Sequence, residues 1–133
     1  MSSLNIDPLK YLDYIPDLFL AYTTIRAINI PSHIKRIGRA AFLNCSHLDH
    51  ITIPDSVMTI GFNAFYKCSG LTSVTIPNSV TSIDKYAFDS CISLNYISYK
   101  GTKDQWGKIA LMDEWNDSSS IKAIHCTDGD ITL

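Results

Sequence analysis

Short runs in which apolar and polar residues alternate recur along the chain. In the run Leu48–Ile53 (LDHITI), the apolar residues are spaced as on the inner face of a half-buried β-strand. Equivalent runs begin at Ile25, Leu71 and Leu94, and a proline follows three of the four runs. Proline ends a strand because it has no N–H to donate to a neighbouring strand. The pattern therefore predicts short strands at regular intervals.

These strands belong to an internal repeat. Segments 28–50, 51–73 and 74–96 have equal lengths and align without a gap. Four columns of the alignment hold one residue type throughout: Pro31, Pro54 and Pro77; Ile37, Ile60 and Ile83; Phe42, Phe65 and Phe88; Cys45, Cys68 and Cys91. So many coincident columns establish the repeat, and a period of this length is typical of a solenoid.

Residues 1–27 carry a degenerate copy of the repeat. In this copy Tyr14, Phe19 and Tyr22 fall in the isoleucine, phenylalanine and cysteine columns. We expect it to cap the N-terminal end of the solenoid, because a terminal repeat faces water on one side. The two caps and the three repeats together predict a single domain over residues 1–133.

Each repeat is too small to bury its own apolar side, so the repeats must stack to make a continuous core. The Ala-Phe-x-x-Cys portion predicts a short helical turn. The expected fold is an α/β repeat solenoid, with a short parallel β-sheet on one face and helical turns on the other. Thr102-x-x-Gln105 matches a capping box that starts a helix at Lys103. We therefore expect residues 97–133 to form a helical C-terminal cap.

The repeat LxxIxIPxxVxxIGxxAFxxCxxL resembles the BspA-like class of bacterial leucine-rich repeats, strongly over residues 28–99 and weakly over 8–27. The C-terminal segment with Trp106 and Trp115 is similar to a cap of that class. The resemblance implies a leucine-rich-repeat solenoid on a bacterial surface or secreted protein, with roles in adhesion and protein binding. A mobile-element origin is a separate option, which belongs to the hypothesis of an intracellular inhibitor. The N-terminus lacks the basic start of an export signal, which instead favours the cytoplasm.

Charge and hydropathy narrow the choice of partner. The 11 basic and 13 acidic residues give a net charge of -2, so no basic face for nucleic acid is expected. No apolar run reaches the roughly 18 residues that a membrane span needs, and we expect no membrane insertion. The expected partner is a protein, with self-association among the options.

No arrangement of reactive residues indicates an enzyme. The three repeated cysteines are one repeat apart, with no close pair of the kind that zinc sites use, and are expected in the core as small apolar side chains. His125 and Cys126 are adjacent, so on a strand they point to opposite faces. Asp128-Gly-Asp130 lacks the further carboxylates of a calcium loop. We expect no catalytic residue, no metal and no cofactor.

Two surfaces compete as the binding site. The first is the outer face of the sheet, for which the strand alternation gives Asn29, His50, Thr52, Ser73, Thr75, Tyr96 and Ser98. The second is an apolar patch on the middle repeat, expected to line up along a helical turn: Met58, Phe62, Tyr66 and, from the next repeat, Tyr86. Two other functions stay open: a passive spacer in a surface or adhesin-like assembly, and an intracellular steric inhibitor of a host protein.

Overall fold

The computed structural model describes residues 7–133, so the first six residues of the expected N-terminal cap lie outside the described residues. The chain winds into a solenoid of about five turns that carries two five-stranded sheets. The short-strand sheet contains, in spatial order, β1 (Tyr14–Ile15), β2 (Arg36–Ile37), β4 (Thr59–Ile60), β6 (Ser82–Ile83) and β8 (Ala110–Leu111). The long-strand sheet contains β3 (His50–Thr52), β5 (Ser73–Ile76), β7 (Tyr96–Tyr99), β9 (Ala123–Cys126) and β10 (Gly129–Thr132).

The long-strand sheet has the parallel strands that the alternating runs predict. β3, β5, β7 and β9 pair in parallel, and β10 turns back to pair antiparallel with β9. Every second residue of β5 is buried, as the alternation requires. The run that begins at Ile25 differs, since only Ala27 forms an isolated bridge there. Ile28 and Ile30 nevertheless point into the core.

The prediction of helical turns is wrong, because each Ala-Phe-x-x-Cys segment forms non-helical turns, and this face of the solenoid carries the short-strand sheet. The strands β2, β4 and β6 of this sheet contain 2 residues each. Two residues are too few to show an alternation of apolar and polar positions in the sequence. Each Ala-Phe-x-x-Cys segment is bounded by residues with left-handed backbone: Ala40 and Asn44, Asn63 and Lys67, Tyr86 and Ser90. A left-handed residue at every fourth position interrupts a right-handed helix. The amides of Phe42 and Asn44 instead donate across to the next turn, at 2.8 and 2.7 Å from its carbonyl oxygens.

The first turn of the solenoid is one residue shorter than the turn that follows it. Ile15 pairs with Ile37, and Ile37 pairs with Ile60. The interval from Ile37 to Ile60 is one residue longer than the interval from Ile15 to Ile37. Ile15 and Leu20 therefore take the buried isoleucine and phenylalanine columns. The assignment of Tyr14, Phe19 and Tyr22 to the three columns is wrong by one residue, because a shift of one residue along a strand reverses the face that a side chain occupies.

Two ladders of identical side chains run through the core. Phe42, Phe65 and Phe88 stack with ring centroids 5.0 and 5.1 Å apart. The three buried thiols each donate to a backbone carbonyl of the preceding turn: Cys45 to Leu20 at 3.0 Å, Cys68 to Phe42 at 3.1 Å and Cys91 to Phe65 at 3.2 Å. The cysteines are therefore core residues as expected, and they also link successive turns.

The C-terminal cap contains one turn of helix, α1 (Lys103–Trp106), and the 3₁₀-helix Asp7–Tyr11 lies at the other end of the described chain. The capping box is present, since the Gln105 amide donates to Thr102 Oγ1 and the Thr102 amide donates to Gln105 Oε1. The expectation of a helical cap is wrong, because the rest of this segment is β8, the β9–β10 hairpin and turns. Trp106 packs between Tyr99 and Trp115 and covers the end of the core. Within residues 7–133, no helix has the length and apolar character needed to cross a bilayer.

Candidate binding surfaces

The outer face of the long-strand sheet presents two rows of side chains. Strand register places one row as His50, Ser73, Tyr96 and Ala123, and the other as Thr52, Thr75, Ser98 and His125. All seven residues that the sequence assigns to this face are exposed or partly exposed. The side chains are mostly small and polar, so the face is flat apart from its aromatic and imidazole rings.

Tyr96 and His125 form the one ring pair of this face among the described residues. Their ring centroids are 4.4 Å apart, and Tyr96 is 38% exposed. His125 Nδ1 lies 2.7 Å from Asp130 Oδ1 on the neighbouring β10, which fixes the imidazole. Cys126, the next residue, hydrogen-bonds weakly through its sulfur to a backbone carbonyl oxygen of its own strand. From the sequence alone, His125 is a candidate only as a partner of Cys126, because the sequence does not reveal the register of β9.

A cavity lies at the opposite end of the same face, beside the edge strand β3. It has a volume of about 240 Å³ and is lined by Ile28, Asn29, Ile30, His50, Thr52 and Pro54. Three of the predicted sheet-face residues, Asn29, His50 and Thr52, therefore share one depression. His50 Nδ1 also contacts the carboxylate of Asp49. From β3, Tyr96 on β7 is two strand spacings away and His125 on β9 is three, about 10 and 14 Å across the sheet.

The apolar patch of the middle repeat is not aligned as expected. The sequence predicts that one helical face carries Met58, Phe62 and Tyr66. The structure has β4 and a left-handed turn in this segment instead. Only Thr59–Ile60 is extended in this segment, and the chain from Phe62 to Tyr66 forms turns, so the three side chains do not lie on one helical face. The ring contact that forms joins Phe62 to Tyr86 of the next turn, with centroids 5.7 Å apart. Met58 is 49% exposed at the start of β4.

Charged side chains surround that ring pair. The Arg39 guanidinium lies 5.2 Å from the centre of the Phe62 ring, and Lys85 Nζ lies 5.0 Å from the centre of the Tyr86 ring. Lys85 Nζ is also 3.8 Å from Glu114 Oε1. The interaction with Tyr86 and the negative charge of Glu114 raise the pKa of Lys85 above its ordinary value. Phe62 and Tyr86 thus sit among cations, and the site is amphipathic.

The thiols have the electrostatics of core residues. Burial raises the pKa of Cys45 and Cys68, and it raises the pKa of Cys91 to about 12. Burial and the nearby aspartates also raise the pKa of Cys126. Over residues 7–133, no group of three or more His, Cys, Asp or Glu side chains is placed to hold a metal ion.

Comparison with known proteins identifies the repeat. A family model described as "BspA type Leucine rich repeat region", in six copies, matches residues 13–127. The chain belongs to the BspA-type leucine-rich-repeat family. The regular period, the parallel strands and the stacked phenylalanines of this BspA-type protein follow from one repeated unit. No curated protein sequence matches the chain significantly.

Three solved structures of leucine-rich-repeat proteins are similar to this BspA-type chain. A leucine-rich cell surface protein from Faecalibacterium prausnitzii is 27% identical, with a TM-score of 0.59 over 81% of this chain and 34% of its own. A leucine-rich-repeat protein from Bacteroides ovatus is 26% identical, with a TM-score of 0.56 over 91% and 29%. One from T. pallidum is 26% identical, with a TM-score of 0.54 over 68% and 46%. The BspA-type chain thus spans less than half of each of these proteins.

Proposed function

We propose that this protein is a non-catalytic binding module that recognises another protein through the outer face of its long-strand sheet. The observation that carries the proposal is the Tyr96–His125–Asp130 cluster. An aromatic side chain that is exposed, yet held against a fixed imidazole, loses little conformational freedom when a partner covers it. Tyrosine is also among the residues that most often dominate binding energy at protein interfaces.

The cavity beside β3 supplies the second half of the face. A partner that places one apolar side chain in this cavity and covers Tyr96 would span the small polar residues between them. Ser73, Thr75 and Ser98 would then supply hydrogen bonds and little steric hindrance. The proposal therefore expects a partner surface at least about 10 Å long, since two strand spacings separate β3 from Tyr96 on β7.

The division into an N-terminal cap, three repeats and a C-terminal cap remains part of the same proposal. A location on a bacterial cell surface also belongs to the proposal. Its support is the family and the similarity to the F. prausnitzii cell surface protein, of which this chain covers about a third.

The experiment compares three purified proteins as bait. The wild type, the double variant Tyr96→Ser/His125→Ser and the control Ile92→Ser are immobilised and offered extracts of bacterial and host cell surfaces. Ile92 is 62% exposed in a turn outside the strands, so its substitution removes an exposed apolar side chain that is not in either row of the face. Captured proteins are identified by mass spectrometry, and each candidate is purified and titrated against all three baits by calorimetry.

The proposal expects a partner that binds the wild type and Ile92→Ser equally and binds the double variant at least about 30-fold more weakly, the effect of losing a hot-spot residue of about 2 kcal/mol. Equal binding to all three baits would move the site off this face. If no protein binds the wild type above the control background in either extract, a spacer function replaces the binding module.

A further inference from the structure

A ridge of charged and apolar side chains runs along the solenoid at one corner of the short-strand sheet. We call it the corner ridge. It consists of two rows, Asp17, Arg39, Phe62 and Lys85 in the first, and Leu18, Ala40, Asn63 and Tyr86 in the second. Backbone hydrogen bonds fix these rows, because the amides of Leu18, Ala40 and Asn63 donate to the carbonyl oxygens of Arg39, Phe62 and Lys85 at 2.9, 2.8 and 3.2 Å. Successive members are therefore one strand spacing apart, about 4.8 Å.

Leu18 is exposed at an unfavourable backbone position. Its side chain is 59% exposed, and its φ of 61° is left-handed. A leucine there gains little from burial and carries a conformational cost that glycine or asparagine would avoid. It forms, with Ala40, Phe62 and Asn63, the wall of a cavity of about 270 Å³. The Oδ1 atom of Asn63 is buried and has no hydrogen-bond partner among the described residues. Within one chain, Asp17 Oδ1 accepts a hydrogen bond from the Arg39 amide at 2.8 Å, and Lys85 Nζ lies 3.8 Å from Glu114 Oε1. The exposed Leu18 and the cavity beside it are therefore the parts of the ridge that one chain leaves uncovered.

The first row of the ridge is complementary to itself when read in the opposite direction. Its sequence is acid, base, aromatic ring, base. A second copy related by a two-fold axis between Arg39 and Phe62 would place Asp17 opposite Lys85 and Arg39 opposite Phe62. An ion pair and a cation–π contact would each form twice, which is the pattern of an interface between identical chains. No like charges of this row would face each other.

The second row agrees with the same arrangement. Leu18 would lie opposite Tyr86, and Ala40 opposite Asn63, so the exposed leucine would be covered by an aromatic ring. Shifting the axis by one turn, to lie between Phe62 and Lys85, would also match charges. Arg39 would then face the acidic pair Asp113 and Glu114 of the next turn, where the Tyr86 amide donates to the Glu114 carbonyl oxygen at 3.2 Å. That shifted register leaves Leu18 uncovered and places Tyr86 opposite Asn63. The apolar row thus selects the first register.

We propose that the corner ridge is the interface of a homodimer, in which two chains associate antiparallel about a two-fold axis between the rows of Arg39 and Phe62. The partner is a second copy of this chain, and the long-strand sheet stays free on both copies.

The test uses sedimentation velocity on purified protein over a range of concentrations. The variants are Asp17→Lys, Lys85→Asp and the charge swap Asp17→Lys/Lys85→Asp, with Lys122→Asp as the matched control. Lys122 is exposed outside the ridge, so its substitution changes the net charge as Lys85→Asp does. Each single variant is expected to weaken dimerisation at least about tenfold, because like charges then face each other twice in the dimer.

Two results would separate a lost ion pair from lost folding. The charge swap is expected to restore dimerisation, and so is an equimolar mixture of the two single variants, in which both ion pairs can form between unlike chains. A wild type that stays monomeric up to about 1 mM overturns the proposal. An unchanged dimer in Asp17→Lys overturns this register, since only this register includes Asp17.

Discussion

The phenylalanine stack allows a quantitative test of how the turns hold together. Phe65 lies between two rings, Phe42 at 5.0 Å and Phe88 at 5.1 Å, whereas Phe42 stacks on one. Phe65→Leu therefore removes two aromatic pairs and Phe42→Leu removes one, while the change in side-chain volume is the same. Because an aromatic pair contributes about 0.5–1.5 kcal/mol beyond the area that it buries, we expect Phe65→Leu to lower the free energy of unfolding by that much more than Phe42→Leu does.

A double-mutant cycle isolates the contact itself. The variants Phe42→Leu, Phe65→Leu and the combination of both are unfolded in urea, with the fluorescence of Trp106 and Trp115 as the probe. Since the two rings touch, the double variant is expected to lose about 0.5–1.5 kcal/mol less than the sum of the single variants. The middle of this range, about 1 kcal/mol, exceeds the usual additivity error of about 0.3–0.5 kcal/mol.

Two results together would refute a stabilising role for the ring stacking. Equal losses in the two single variants, together with a coupling energy near zero, would mean that the rings act only as buried volume. The stacking of identical residues would then be a consequence of the repeat and would not contribute to the association of successive turns.

Three further predictions concern the thiols and the glycines. In native protein near neutral pH, iodoacetamide is expected to label Cys126 alone, as counted by mass spectrometry, because Cys45, Cys68 and Cys91 are fully buried; two or more labels would contradict the thiol ladder. Burial raises the pKa of Cys91 in the folded protein to about 12 from an ordinary value of 9.0. Its contribution to stability is therefore complete below pH 9 and is lost as pH rises toward 12, at about 1.4 kcal/mol per pH unit. Urea unfolding of Cys91→Ala over this pH range should show a slope smaller by that amount, and an unchanged slope would be inconsistent with burial of the thiol. Gly70→Ala should lower the unfolding temperature more than Gly107→Ala, because a Cβ at Gly70 would lie 2.4 Å from the Ser46 carbonyl oxygen while the nearest atom at Gly107 is 3.4 Å away; equal unfolding temperatures would argue against the close approach of these turns.

The repeat made much of the fold predictable. A column of identical apolar residues at a fixed period requires that each member face the same core, and Ile60, Phe65 and Cys68 do so. The runs that begin at Leu48, Leu71 and Leu94 form β3, β5 and β7 as predicted. The capping box at Thr102 is also predictable from the sequence, because its two residues are close in the chain and need no distant partner.

The short-strand sheet could not be predicted in the same way. Its strands are too short to show any alternation, and Ala-Phe-x-x-Cys has the spacing of a helical turn. The residues that break the helix, such as Asn63, Lys67 and Tyr86, share no residue type, so their left-handed backbone leaves no signature in the sequence. The inter-turn hydrogen bonds, which the sequence does not show, impose this conformation.

The candidate binding surfaces are also only partly predictable from the sequence. The sheet-face residues followed from strand alternation, since an alternating strand defines both its inner and its outer side. His125 was missed as a member of that face because it lies beside Ser98 in the sheet but further along the chain than one repeat would place it. The corner ridge depends on backbone hydrogen bonds between successive turns, which place Arg39, Phe62 and Lys85 in one row although their residue types share no pattern.

The three central turns each donate backbone hydrogen bonds to the next turn and one thiol hydrogen bond to the preceding turn, so the number of turns is independent of the internal design of any one of them. Insertion or removal of one complete repeat would change the width of the long-strand sheet in a step of about 4.8 Å while the contacts within the remaining units stay the same. Gene duplication can therefore adjust the reach of such a surface to partners of different size without redesigning a core.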